Sequence, residues 1–150
     1  MYGWLLFVHI LAAMVWVGGA LTLSALATHV LHEGRSDAVH RFVTSLRVIG
    51  PLVFAPAPVL VIGFGVWIVL IGDTWTFAQA WLSASFALFG AAFLVGVAFQ
   101  SRAAIAAERA AADDRQDEAI RQLRRWSWGS RVVVVLLAAA TWVMVFKPGM

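Results

Sequence analysis

His9 is the one ionisable residue that stands well inside an apolar stretch of this 150-residue chain. It lies within the run Tyr2-Gly-Trp-Leu-Leu-Phe-Val-His-Ile-Leu-Ala-Ala-Met-Val-Trp-Val-Gly-Gly-Ala20. Placing a titratable side chain in hydrocarbon is costly, so by default it marks a site with a partner. A neutral imidazole nitrogen is a metal ligand and the commonest axial ligand of haem iron. At the other end of the sequence stand Met144 and Lys147, the only lysine, on one face of the last apolar stretch at i, i+3 spacing. Methionine is a known opposite ligand to histidine on haem iron, and lysine can serve where burial keeps it neutral. Ala12 and Ala13 follow His9 by one turn, Trp16 by two, and Ala138, Ala139 and Ala140 lie below Met144. Small residues beside a histidine leave room for a flat group between helices, and bundles build cofactor sites from side chains on facing helices. Haem is the natural candidate, with His9 as the iron ligand and Lys147, Met144 and Trp16 beside it. Each residue also has a plainer reading. His9 can hydrogen-bond a neighbouring helix, Lys147 can snorkel to headgroups, and Met144 and the alanines can simply pack.

Other chemistry is sparse. His29 and His32 stand three apart, with Glu33 and His40 near, a spacing that can hold a metal. Nothing completes a tetrahedral set, so an interfacial polar cluster is the simpler reading. The chain has no cysteine, which excludes disulfides, cysteine-ligated clusters and a thiol nucleophile. No phosphate loop, hydrolase triad or dinucleotide fingerprint appears.

The elements that position these residues are legible from composition. The chain is 62% hydrophobic and 13% charged, with eight Trp and ten Phe, far from the balance of a soluble domain. The charges gather in residues 29–47 and 101–131. Long apolar runs between them read as transmembrane helices. The expectation is a single all-α domain over 1–150, a four-transmembrane-helix bundle with helices over about 2–31, 48–72, 77–100 and 131–146. Gly34 is a stop for the first helix, and Ser36 a cap for a short surface helix. The absence of a positive charge before the first run, and its length, argue against a cleaved signal. Pro51, Pro56 and Pro58 predict a kink in helix 2. The link 73–76 is short. Residues 101–125 read as a charged cytoplasmic helix projecting from helix 3, with Arg121 at pairing distance from Asp117 and Glu118. Trp126 and Trp128 return to the interface, and Gly129-Ser130 opens helix 4. Arg residues crowd the links after helices 1 and 3, and the link after helix 2 has none. The positive-inside rule then puts both termini on the outer face of a bacterial plasma membrane. The basic charge serves topology, with no nucleic-acid partner implied. His9 and Lys147 fall in one leaflet, His9 on the order of 10 Å from the start of its helix.

The segment Phe7-Val-His9-Ile-Leu-Ala-Ala-Met-Val-Trp16-Val-Gly18-Gly19 resembles the first helix of several bacterial membrane families. One is an integral-membrane family without assigned activity, whose members close on Lys-Pro-Gly as this chain does at Lys147-Pro148-Gly149. More distant are the HemJ-type protoporphyrinogen oxidases and the CopD copper-resistance membrane domains. In the HemJ-type family a first-helix histidine and a C-terminal lysine are essential and associated with haem b. That resemblance implies such roles for His9 and Lys147, and a haem b protein of electron transfer or porphyrin oxidation. The Trp-x-His-x-Lys and Arg-x-Asn-Glu-x-Pro segments of those enzymes are absent here. A second function class is an accessory subunit or assembly factor of a larger membrane complex, or a homo-oligomer. Its sequence feature is the small-residue ladder Ala20, Ser24 and Thr28 on helix 1. Copper or small-solute transport, by the CopD resemblance, is a third. It wants polar groups near the midplane, where helices 2–4 offer Ser83, Ser85 and Thr141.

Overall fold

In a computed structural model, helices are the only regular secondary structure of the chain over its described residues, 2–72 and 75–149. Of the expected link 73–76, Asp73 and Thr74 lie outside them. Helix α1 (Tyr2–Glu33) runs the length of the molecule and stops at Gly34, whose φ of +64° is the left-handed value that glycine accommodates at a helix C-terminus. Arg35, not Ser36, occupies the cap position of α2 (Ser36–Ile49), and Ser36 is its first helical residue. No side chain caps this terminus; instead Asp37, one residue on, supplies negative charge to the first turn.

From α2 the chain stays helical through a π-helical segment, Gly50–Phe54, into α3 (Pro56–Ile71). The expected kink takes this form because prolines 51, 56 and 58 cannot donate to the carbonyls one turn earlier, and a widened turn relieves the clash. Helix α4 (Ala80–Leu94) starts three residues later than expected, Phe77–Gln79 forming a turn in which Ser83 Oγ donates to Phe77 O at 2.6 Å. A second π segment, Val95–Gln100, joins α4 to α5 (Ser101–Ala112).

The last third differs most from expectation. The charged helix ends at Ala112, not 125, at a turn where Asp114 takes a φ of +58°; aspartate is among the few residues that tolerate this. One 31-residue helix, α6 (Gln116–Phe146), then joins the second half of the charged segment to the last span. Gly129 and Ser130 are buried within it and do not start it. Gly129 is needed there for close approach: a Cβ on it would sit 2.8 Å from Phe99 Cδ1. Gly129-Ser130 therefore marks a crossing of helices and not the expected helix start.

Four continuous helical rods are long and apolar enough to cross a membrane: Tyr2–Glu33, Ser36–Ile71, Ala80–Ala112 and Gln116–Phe146. Helix α1 packs on α3 and α6, and α6 on α4, whereas α3 and α4 scarcely touch although they are consecutive. Two cores result. The larger gathers Ala12, Trp16, Ala20, Val61, Phe89 and Leu137, and is ringed by lipid-facing side chains such as Leu11, Leu52, Leu70 and Val135. The other lies at the charged end, where Val39, Val43, Ala107, Ala119, Leu123 and Trp126 close together. The charged helix therefore does not project into solvent. Its alanine face packs into a second bundle, and Arg47 Nη1 on α2 pairs with Glu108 Oε1 on α5 at 2.6 Å. Arg121 pairs with Glu118, as its spacing predicts.

Candidate functional site

His9 sits on the face of α1 that meets α3. Its ring lies over Gly65, where a Cβ would come within 3.2 Å of His9 Cε1 and 3.6 Å of Phe86 Cζ. The missing side chain is what admits the imidazole between the helices. His9 Nδ1 lies 2.9 Å from Val61 O. A carbonyl only accepts, so Nδ1 carries the proton and donates, leaving Nε2 with its lone pair. The plain reading of this histidine, a hydrogen bond to a neighbouring helix, is thus met. The same bond is also the one that orients metal-ligating histidines and fixes their tautomer.

Lys147 is at the same end of the bundle as the start of α1 but does not join His9. It ends α6 in a left-handed conformation (φ +44°, ψ +57°), its N–H donating to Val143 O at 2.9 Å. Its Nζ lies 4.2 Å from the ring centroid of Trp75 and 5.5 Å from that of Trp81. Those two indoles meet edge to face at 5.2 Å. The Lys147 side chain is thus engaged with indole rings by a cation–π contact. Met144 packs against the larger core and is half-buried. Trp16 is buried, stacked on Phe89 at 5.9 Å, well along α1 from His9. His9 thus meets α3, Lys147 meets Trp75 and Trp81, and Met144 and Trp16 belong to the larger core.

The small-residue ladder of α1 faces inward. Ala20 is buried, Ser24 and Thr28 are half-buried, and Thr28 Oγ1 donates to Ser24 O at 2.9 Å. Ser85 and Thr141 likewise bond to the carbonyls of Trp81 and Leu137 on their own helices, at 2.8 Å each. Neither set offers a polar path across the bundle. His29 Nε2 pairs with Glu33 Oε1 at 3.1 Å on an exposed face. Among the described residues, no group of three or more His, Asp or Glu side chains is placed to hold a metal.

The feature that residue types did not announce is a cavity of about 440 Å³ between the larger core and the charged end. Both π segments line it, through Gly50, Pro51 and Phe54 on one side and Gly96, Val97 and Gln100 on the other. π-helical turns recur at functional sites because they displace the backbone from the regular ladder and open space beside it. Trp16, Phe93 and Trp126 add aromatic walls, and the Arg47–Glu108 pair stands at the charged end of the lining. The proline pattern was the available signal, although it was read as a bend rather than a wall. No histidine, methionine or lysine lines this space, so haem iron would find no nitrogen or thioether ligand there.

Sequence comparison with curated proteins and with solved structures finds no match. A match does extend over residues 4–148, nearly the whole chain, to the DUF2269 family, described as predicted integral membrane proteins. With four apolar helical rods and a family match of that extent, the chain belongs to the DUF2269 family of integral membrane proteins.

Proposed function

We propose that the chain binds haem b through His9 and serves electron transfer or porphyrin oxidation in a bacterial plasma membrane. What supports the reading is one hydrogen bond. The Nδ1–H of His9 donates to Val61 O at 2.9 Å, which presets the imidazole for ligation through Nε2. Haem b would supply one-electron redox chemistry. The protein's own part is to hold the ring over Gly65 and to keep its tautomer fixed. Lys147, over Trp75 and Trp81, acts in this reading as a cationic anchor of the loop before α4 and not as a ligand. Met144 packs. The site thus has one protein ligand, and the likeness to HemJ-type enzymes reaches only its histidine.

The test is an absorption spectrum of detergent-purified protein after haemin addition, oxidised and dithionite-reduced. A Soret band with reduced α and β bands is expected in the wild type, in Lys147→Ala and in Met144→Ala, and its loss in His9→Ala. Gly65→Val, which pushes a side chain toward His9 Cε1, should weaken haem affinity by roughly 10–100-fold, as loss of an orienting bond does. A wild-type protein that is folded yet never acquires the band would sink the proposal. A band lost in Lys147→Ala but kept in His9→Ala would assign the wrong ligand.

A further inference from the structure

The cavity of about 440 Å³ is within the range of small-molecule sites, and four features of it restrict what it can hold. First, its charge is balanced. Arg47 and Glu108, its only charged lining residues, pair with each other at 2.6 Å, so the lining carries no net charge to attract an ionic ligand. Second, the wall carries uncharged hydrogen-bonding groups close together, Gln100, Ser101 and Ser130. Ser101 donates to Val97 O, while no hydrogen bond within the described residues occupies the Gln100 amide or the Ser130 hydroxyl. Third, aromatic faces surround the space: Trp16, Phe54, Phe93 and Trp126. Fourth, the space is bordered by two apolar rods that make few contacts with each other, the buried ones being Val69 with Trp81 and Leu82, none of which lines the cavity. Helices α3 and α4 scarcely touch, and both contribute to the lining, α3 with Pro58 and α4 with Ala92 and Phe93. Both belong to rods long and apolar enough to cross a membrane.

We propose that this cavity binds the ring of an isoprenoid quinone, entering from the membrane between α3 and α4. Such a molecule is neutral, flat and rich in carbonyl acceptors, and its apolar tail can remain in the lipid. The Gln100 amide N–H and the Ser130 O–H donate to the ring carbonyls, and the aromatic walls stack on the ring. A charged phospholipid head fits the same space poorly, because the Glu108 carboxylate beside Arg47 repels its phosphate. The site does not depend on His9 and stands whether or not haem is bound.

Two of the eight tryptophans, Trp16 and Trp126, line the cavity, so quinone binding is readable as quenching of indole fluorescence. The probe is decyl-ubiquinone added to haem-free protein in detergent. The expected result is saturable quenching of a minor part of the emission. Ala104→Phe, which fills the space from α5, should abolish it. Gln100→Leu, close in shape but without the amide, should weaken binding by about 3- to 10-fold, the loss of one hydrogen bond. Circular dichroism establishes that each variant is folded. Should Ala104→Phe fail to fold, Gln100→Leu alone decides. Quenching that never saturates in folded wild type overturns the proposal, as does quenching equal in Gln100→Leu. Displacement of the quinone by short-chain phosphatidylglycerol at equal concentration would also overturn it, making the cavity an acyl-chain groove.

Discussion

The two cores of this molecule are built from the same four rods by different physics. At the charged end, α2 and α5 are amphipathic, and their alanine and valine faces close over Leu123 and Trp126 while Arg41, Arg47 and Arg109 stay exposed. Water surrounds that end, so removing apolar surface from it drives association. In the apolar half, α1, α3 and α4 carry large hydrophobic side chains on their outer faces as well. Lipid tails are as apolar as leucine, so association there rests on close packing of small residues such as Ala12, Ala20, Ala92 and Ala140, all buried. The comparison locates the cavity. It sits where one mode of packing hands over to the other, and where two π segments keep the backbones apart.

The sharpest test of that contrast uses one helix. Leu123 and Leu137 both lie on α6 and both are 0% exposed, one in each core. Leu123→Ala should cost about 2–5 kcal/mol, combining lost transfer free energy with a cavity. Leu137→Ala should cost less, about 1–2 kcal/mol, from lost packing alone. Thermal unfolding of both variants in detergent measures the difference, and equal losses would mean that both sites see the same surroundings. Between the cores, Gly129→Leu forces a side chain into Phe99 and should destabilise by about 1–3 kcal/mol. Gly18→Ala, with nothing within 4 Å of the added carbon, should be neutral or slightly stabilising by helix propensity.

The smallest effect is electrostatic and belongs to the charged end alone. Arg35 donates to Asp37 at 3.1 and 2.7 Å and Arg41 at 2.9 Å. These bonds, Arg35's first, hold the Asp37 carboxyl at about 2, below its ordinary 3.8. A carboxylate whose pKa is depressed on folding contributes stability above its unfolded value and loses it as pH falls. Asp37→Asn should therefore be slightly less stable than wild type at pH 5. The gap should shrink from about pH 4 and vanish only below about pH 2, as the folded-state carboxyl protonates, which unfolding temperatures across that range would report.

Particular residues show where sequence reasoning held and where it stopped. Gly34 and the long apolar runs announced helix ends and spans, because hydrocarbon imposes a length and a composition on whatever crosses it. Residues 101–125 misled. A charged, alanine-rich helix reads the same whether it projects into water or lays its alanines on a partner, and here Ala103, Ala107 and Ala110 are buried against α2 and α6. Trp126-Ser-Trp-Gly-Ser looked like a fresh start at an interface, whereas Gly129 is the notch into which Phe99 fits. His9 was identified by its cost in lipid, but its placement opposite Val61 and Gly65 depends on how α1 and α3 cross. Spacing along one helix carries no information about that crossing.

From its residues alone this chain is legible as a four-helix membrane protein with a single ionisable group deep in one span. Those are properties of local composition, set by the cost of exposing charge and unpaired backbone to hydrocarbon. Tertiary structure decided what each candidate touches. It carried Lys147 to a pair of indoles, Trp16 to Phe89, and His9 to a carbonyl of α3. It also opened a cavity beside two widened turns. The reason is that in lipid the helices choose partners by shape, and shape is a property of pairs of helices that neither sequence displays alone.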